Sequence, residues 1–219
     1  MPAHRKDLHI TGPNLWYLAG LITSDGCLSK DGRHINITSK DPEFLEKIRS
    51  TFSLVNKVGI KNKDRINQAY YLQIGNTDFY EFLLSVGLTP SKSLSLKDLN
   101  IPKGKFCDFL RGLIDGDGCI RQWVHPSNSG EQWSLRIFSG SKDFVDWVSS
   151  VAESLLKVRG KIHKNAKNTR VLKYGKMAAK EIARNCYYNN CFGLDRKIKL
   201  AQECLGSHKG WTQSKTVLN

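Results

Sequence analysis

The sequence predicts an α+β fold of two pseudo-symmetric αββαββα halves, each an antiparallel four-stranded sheet with helices on one face. Three observations carry this. A twelve-residue segment occurs twice. Short stretches after each copy alternate apolar and polar residues. Further stretches in both halves carry apolar residues at helical spacing.

The repeated segment comes first in each half. Tyr17-Leu-Ala-Gly-Leu-Ile-Thr-Ser-Asp25-Gly-Cys-Leu28 returns as Phe109-Leu-Arg-Gly-Leu-Ile-Asp-Gly-Asp117-Gly-Cys-Ile120, with seven of twelve positions identical. Leu15, Leu18, Leu21 and Ile22 form an apolar stripe with Gly20 inside it. A glycine costs about 1 kcal/mol in a helix interior. Gly20 and its counterpart Gly112 are explained if the two helices pack with their backbones nearly touching. Gly26 and Gly118 are placed to stop the helices in the left-handed conformation.

Two strands follow in each half. Ile35 and Ile37 alternate with His34, Asn36 and Thr38, and Trp133, Leu135 and Ile137 alternate with Gln132, Ser134 and Arg136. One face can pack on helices while the other stays wet. Ser39-Lys-Asp and Ser141-Lys-Asp then lead into helical stretches, Phe44 to Phe52 and Phe144 to Leu156. With those tripeptides matched, the second half holds ten extra residues, around the turn chemistry of His125–Gly130. Strands running into Gly75 and Gly175 and a last helix complete each half. The link near Asn100–Lys105 is too short for a free tether. The expected layout is a tail over 1–13, repeats over 14–100 and 101–205, and a tail over 206–219.

The 219 residues hold 34 Lys and Arg against 20 Asp and Glu, a formal charge of +14. Such a field attracts polyanions, and nucleic acid rewards many separate basic contacts. Basicity can also serve solubility alone. A membrane partner is not expected, because no basic amphipathic anchor, lipidation motif or run of ~20 apolar residues is present. The six cysteines form no zinc pattern and read as free, mostly buried thiols. With no apolar signal core, the chain is expected to be soluble and intracellular, in the cytoplasm or an organelle matrix.

The chemistry sits at the ends of the repeated helices. Asp25 and Asp117 each close one. A carboxylate there opposes the helix dipole, and pairing the helices adds like-charge repulsion. Divalent cations reverse that cost, and hard carboxylate oxygens suit Mg²⁺. Two carboxylates, a metal and a basic surface point to metal-assisted phosphodiester cleavage.

Leu18-Ala-Gly-Leu-Ile-Thr-Ser-Asp25-Gly26 and Leu110-Arg-Gly-Leu-Ile-Asp-Gly-Asp117-Gly118 resemble the two motifs of single-chain LAGLIDADG homing endonucleases. The likeness covers nearly the whole chain and departs at Thr23 and Ser24, where the pattern has Asp-Ala. Asp115 matches the family's earlier, structural acid.

The resemblance implies a monomeric enzyme whose curved sheets lie along the major groove of double-stranded DNA. It implies Mg²⁺ held at Asp25 and Asp117 with help from Ser24 and Gly116, with Mn²⁺ able to substitute and Ca²⁺ supporting binding without cleavage. The product would be a staggered double-strand break with 3′ overhangs at a long asymmetric site. Lys92 and Lys197 match the family's peripheral active-site lysine, and Ser39 and Ser141 a polar residue that orders water.

Base and phosphate contacts are expected from Ser29, Lys30, Arg33, His34, Asn36, Thr38, Lys61, Lys63, Tyr71 and Gln73 in the first half. In the second they are expected from Arg121, Trp123, Gln132, Ser134, Arg136, Lys161, His163, Arg170 and Lys173. The alternative is a relative that keeps the fold without cutting, such as a splicing maturase gripping intron RNA or a DNA-binding regulator. Both acids and both lysines are present, which argues against loss of cleavage. A free-standing, intron-encoded enzyme is expected rather than one embedded in an intein.

Overall fold

A computed structural model describes residues 12–62, 68–90, 95–127, 129–165 and 169–208. The first half runs α1 (Gly12–Asp25), β1 (Gly26–Leu28), β2 (His34–Ser39), α2 (Pro42–Thr51), β3 (Gly59–Asn62), β4 (Ala69–Gly75) and α3 (Thr77–Val86). The second repeats it as α4 (Phe106–Asp117), β5 (Gly118–Val124), β6 (Glu131–Ser139), α5 (Lys142–Leu156), β7 (Lys161–Lys164), β8 (Arg170–Tyr174) and α6 (Lys176–Cys186). A further helix, α7 (Asp195–Gly206), follows, beyond the αββαββα pattern expected of the second half.

The sheets are wholly antiparallel, ordered β1-β2-β4-β3 and β5-β6-β8-β7. Ile35, Ile37, Leu72 and Ile74 are buried in the first, and Leu135, Ile137, Leu172 and Tyr174 in the second. These inward residues pack against the helices, as the alternation required.

α1 and α4 cross at their glycines. A Cβ on Gly20 would overlap the Phe109 carbonyl and lie 2.9 Å from the Leu113 nitrogen. A Cβ on Gly112 would overlap the Tyr17 carbonyl and lie 2.7 Å from the Leu21 nitrogen. The backbones therefore touch, as expected.

Gly26 and Gly118 correct a second expectation. Neither has a positive φ, and Gly118 is extended at φ −85° and ψ 166°. The chain passes straight from helix to strand. Glycine is needed there for room, since a Cβ would sit 2.6 Å from the backbone of Ile22 or Ile114.

The strand register also corrects the alignment of the halves. Gly26 pairs with Ile37 and Gly118 with Ile137. α2 is capped by Asp41, which accepts from the Phe44 N–H, and α5 by Ser141, which accepts from the Phe144 N–H. Ser39 therefore matches Ser139, and Asp41 matches Ser141. Each strand-end serine accepts the N–H of its cap residue, at 3.1 Å and 3.2 Å. Fourteen positions separate Asp25 from Ser39 and twenty-two separate Asp117 from Ser139, so the longer hairpin carries eight extra residues, not ten.

The halves lock by exchanging segments. The Ser141 hydroxyl donates to the carbonyl of Leu96 in the first half. Reciprocally, Lys47 of α2 reaches Gly193 O at 2.9 Å and Asp195 at 2.6 Å, and Phe192 packs edge-on against Tyr17 and Phe52. The cysteines are free, but only Cys186 and Cys204 are buried. Cys27 is exposed, and Cys107, Cys119 and Cys191 lie between. Among the described residues no helix is long and apolar enough to cross a membrane.

Candidate active site

The glycine crossing sets where the acids stand. Asp25 is the last residue of α1 and Asp117 the last of α4. Asp117 is exposed and Asp25 half-buried. Across the interface a Cβ on Gly116 would overlap the Ser24 hydroxyl and lie 3.2 Å from Asp25 Oδ2. The Asp25 carboxylate thus abuts the residue before Asp117, in a space that only glycine leaves open. Ser24, Asp25, Gly116 and Asp117 come together at one end of the helix pair.

No cluster of three or more His, Cys, Asp or Glu side chains suited to a metal occurs among the described residues. A divalent cation at this point would rest on the two carboxylates together with backbone, water and phosphate oxygens, a donor set that suits Mg²⁺.

Lys197, on α7, is buried, with 3 % of its surface exposed. Its ammonium donates to the carbonyls of Ile114, Asp115 and Gly118, the latter two at 3.1 Å and 2.6 Å. It therefore closes the C-terminus of α4, the negative end of the helix dipole, beside Asp117. Burial pulls its pKa down to about 8 against the attraction of Asp115. Lys92 and Lys63 lie outside the described residues.

Ser141 does not line this site. Its hydroxyl is occupied as a buried helix cap between Phe144 N–H and Leu96 O. The water-ordering role matched to it fails because the shared tripeptide is offset by two positions. Ser39 ends β2 and is half-buried.

A buried polar network, missed in the sequence, braces the second half. Asp115 accepts from the hydroxyls of Tyr17 and Tyr187 at 2.8 Å each and from the Leu194 N–H at 2.7 Å. Desolvation raises its pKa, partly offset by those hydrogen bonds. Arg111, fully buried, pairs with Asp108 at 2.9 Å and donates to the carbonyls of Cys186 and Phe192. The rings of Tyr17 and Tyr188 stack on its guanidinium. These bonds hold the segment that delivers Lys197. Two signals were visible: Asp115, matched to the family's structural acid, and an arginine inside the second motif where the first has Ala19.

The outward sheet faces carry most of the remaining candidates. His34, Asn36, Thr38, Tyr71 and Gln73 share the open face of the first sheet, and Lys61 joins them by donating to the Thr38 hydroxyl at 3.2 Å. Ser29, Lys30 and Arg33 belong to the β1–β2 hairpin. There Asp31, unforeseen, bonds His34 Nδ1 at 2.5 Å, which holds the Asp31 pKa at about 2.

Arg121, Trp123, Gln132, Arg136, Lys161, His163 and Lys173 share the open face of the second sheet. Ser134 is a correction: strand parity puts it on the same face, but it is fully buried there and offers nothing to a duplex. Lys173 Nζ lies 6.0 Å from the Trp123 ring centroid. Arg170 is a correction. It pairs with Ser139 and Lys164, in step with inward Leu172 and Tyr174, so strand parity puts it on the helix side.

The LAGLIDADG-like domain family model matches residues 12–87 and 107–187, one copy per half. No curated protein matches the chain. Among solved structures, the meganuclease I-SmaMI in one DNA complex is 14% identical with a TM-score of 0.60, over 89% of this chain and 90% of that one. The homing endonuclease I-WcaI is 15% identical with a TM-score of 0.59, over 80% and 82%. DUF199/WhiA from Thermatoga maritima is 14% identical with a TM-score of 0.58, over 90% of this chain, which spans only 62% of that protein. With the motif in both halves and the family model matching most of its length, the chain belongs to the LAGLIDADG-like domain family, in its single-chain, two-motif form.

Proposed function

We propose that this chain is a sequence-specific, metal-dependent DNA endonuclease that makes a staggered double-strand break at a long asymmetric site. The observation that carries the reading is the packing of Asp25 against Gly116 at the crossed helix ends. Two acids held against the dipoles of their own helices are a cost to stability that a cation and a phosphate backbone would offset. The similar chains I-SmaMI and I-WcaI are described bound to DNA, I-SmaMI also bound to cleaved DNA.

Asp25 and Asp117 would hold Mg²⁺, with the Ser24 and Gly116 positions beside them. When bound, the ion would supply charge stabilisation at the phosphate and ease deprotonation of water. The chain's own residues do the rest. The glycine crossing fixes the spacing of the acids. Lys197 offsets the negative end of α4, and Lys92 is proposed as its counterpart. The open sheet faces orient the duplex.

A second reading, a nucleic-acid-binding protein that does not cut, is favoured by the likeness to DUF199/WhiA and by Thr23-Ser24 in the first motif. A library of random duplexes separates the two. Incubated with the full chain in Mg²⁺, it should yield newly formed 3′-overhanging ends at one long site, absent in EDTA. Enriched bound duplexes without cut ends would establish the second reading.

A further inference from the structure

The two sheets differ at one equivalent place. In the first, Asn36 on β2 stands directly opposite Gln73 on β4. One hundred positions on, Arg136 on β6 stands directly opposite Lys173 on β8. The equivalence is fixed by register, because Asn36 and Arg136 also pair with the matching cysteines Cys27 and Cys119. Two neutral amides in one half thus face two cations in the other. The cationic row continues, since Lys161 on edge strand β7 stands opposite Lys173.

Like charges directly opposite each other on neighbouring strands are destabilising. None of these three charges is ion-paired with a carboxylate among the described residues. Among the described residues, the Arg136 Nε is buried without a hydrogen-bond partner, and so is the hydroxyl of Ser134, two residues along the same face. That hydroxyl is fully enclosed. An electronegative ligand over Arg136, Lys173 and Lys161 would relieve the repulsion, although the Arg136 Nε itself is enclosed.

We propose that these equivalent pairs read equivalent positions of the target differently: Arg136 and Lys173 read guanine, and Asn36 and Gln73 read adenine. This rests on the proposal that the open faces meet duplex DNA. Residues at matched positions of two superposable sheets reach matched depths in the groove. The first pair is neutral amide, the chemistry that grips adenine N6 and N7. Amides also bond phosphates, but without the charge neutralisation that releases counterions. The matched second pair therefore reaches base edges too, where arginine and lysine take guanine O6 and N7. Lys161, on the edge strand, is left to a phosphate.

The test is a binding selection of the full chain against random duplexes in EDTA, so that no cutting is required. The wild-type site should be partly palindromic, with guanine on one side and adenine on the other at one matched position. Arg136→Asn with Lys173→Gln should exchange that guanine for adenine, changing preference on the order of 10-fold, and leave other positions alone. Asn36→Arg with Gln73→Lys should do the reverse on the other side. Thermal melts verify that each variant folds, and either exchange alone decides. An unchanged consensus, with binding uniformly weaker and a shallower salt dependence, would assign the cations to phosphates and overturn the inference. A selected duplex that is never cut in Mg²⁺ would overturn the endonuclease reading and leave this one standing on its base exchange. If no duplex is enriched, both fall.

Discussion

Lys197 donates to the carbonyl of Gly118 at 2.6 Å, and so fastens α7 onto the end of the helix that carries Asp117. The contact spans 79 residues of sequence. It puts a buried positive charge where the helix dipole is negative, and it makes the second acid's position depend on α7.

That charge has a pH signature. The folded-state pKa of Lys197 is about 8, below the ordinary 10.5, because burial disfavours the charged form. Between those values the unfolded chain keeps a proton that the folded chain has released, so rising pH favours folding. The contribution is fully present above about 10.5 and is lost as pH falls through about 8. Melting wild type and Lys197→Met at pH 7.5 and pH 9.5 should show the wild type gaining on the variant at the higher pH. A wild type that loses ground to the variant at the higher pH would contradict the buried-ammonium account.

Gly20→Ala and Gly112→Ala should each destabilise by roughly 3 kcal/mol or more, because the new methyl meets backbone on the opposite helix and no side chain can swing aside. In an ordinary helix the same change would stabilise by about 1 kcal/mol. Denaturant unfolding reads the sign directly. Stabilisation would mean the helices do not touch.

Asp115→Asn should cost about 1–3 kcal/mol, since an acid accepting three buried donors is replaced by a group with one fewer acceptor and an unwanted donor. The matched Thr23→Ala should cost less. The Thr23 hydroxyl donates only to the Ala19 carbonyl one turn back in its own helix, a carbonyl the helix already uses. Equal losses in urea titrations would show that the network does not brace the second half.

The repeat, the strand alternation and the glycine crossing were legible because each is a local pattern with a local cause. A twelve-residue motif occurring twice fixes two helices, and a glycine in each apolar stripe predicts their contact. What stayed hidden depends on partners far along the chain. The Arg111–Phe192 bond spans 81 residues, and nothing near Arg111 announces it. Ser-Lys-Asp misled because serine and aspartate both cap helices. The identical tripeptides sit two positions apart in the fold, with Asp41 capping one helix and Ser141 the other. Arg170 was misplaced for a similar reason, since a basic residue at a strand start shows no parity until the register is known. The direct helix-to-strand passage at Gly26 and Gly118 was hidden too, because glycine answers equally to a positive φ and to lack of room.

The central claim is that Asp25 and Asp117 do the cutting and the sheets do the holding. The most direct measurement compares wild type, Asp25→Asn and Asp117→Asn on one selected duplex, scoring affinity in EDTA and strand cleavage in Mg²⁺. Each substitution should leave affinity within a few-fold and reduce cleavage by roughly 100-fold or more, the loss expected when a group that holds a catalytic metal is neutralised. Cleavage at the wild-type rate in either variant would contradict the account.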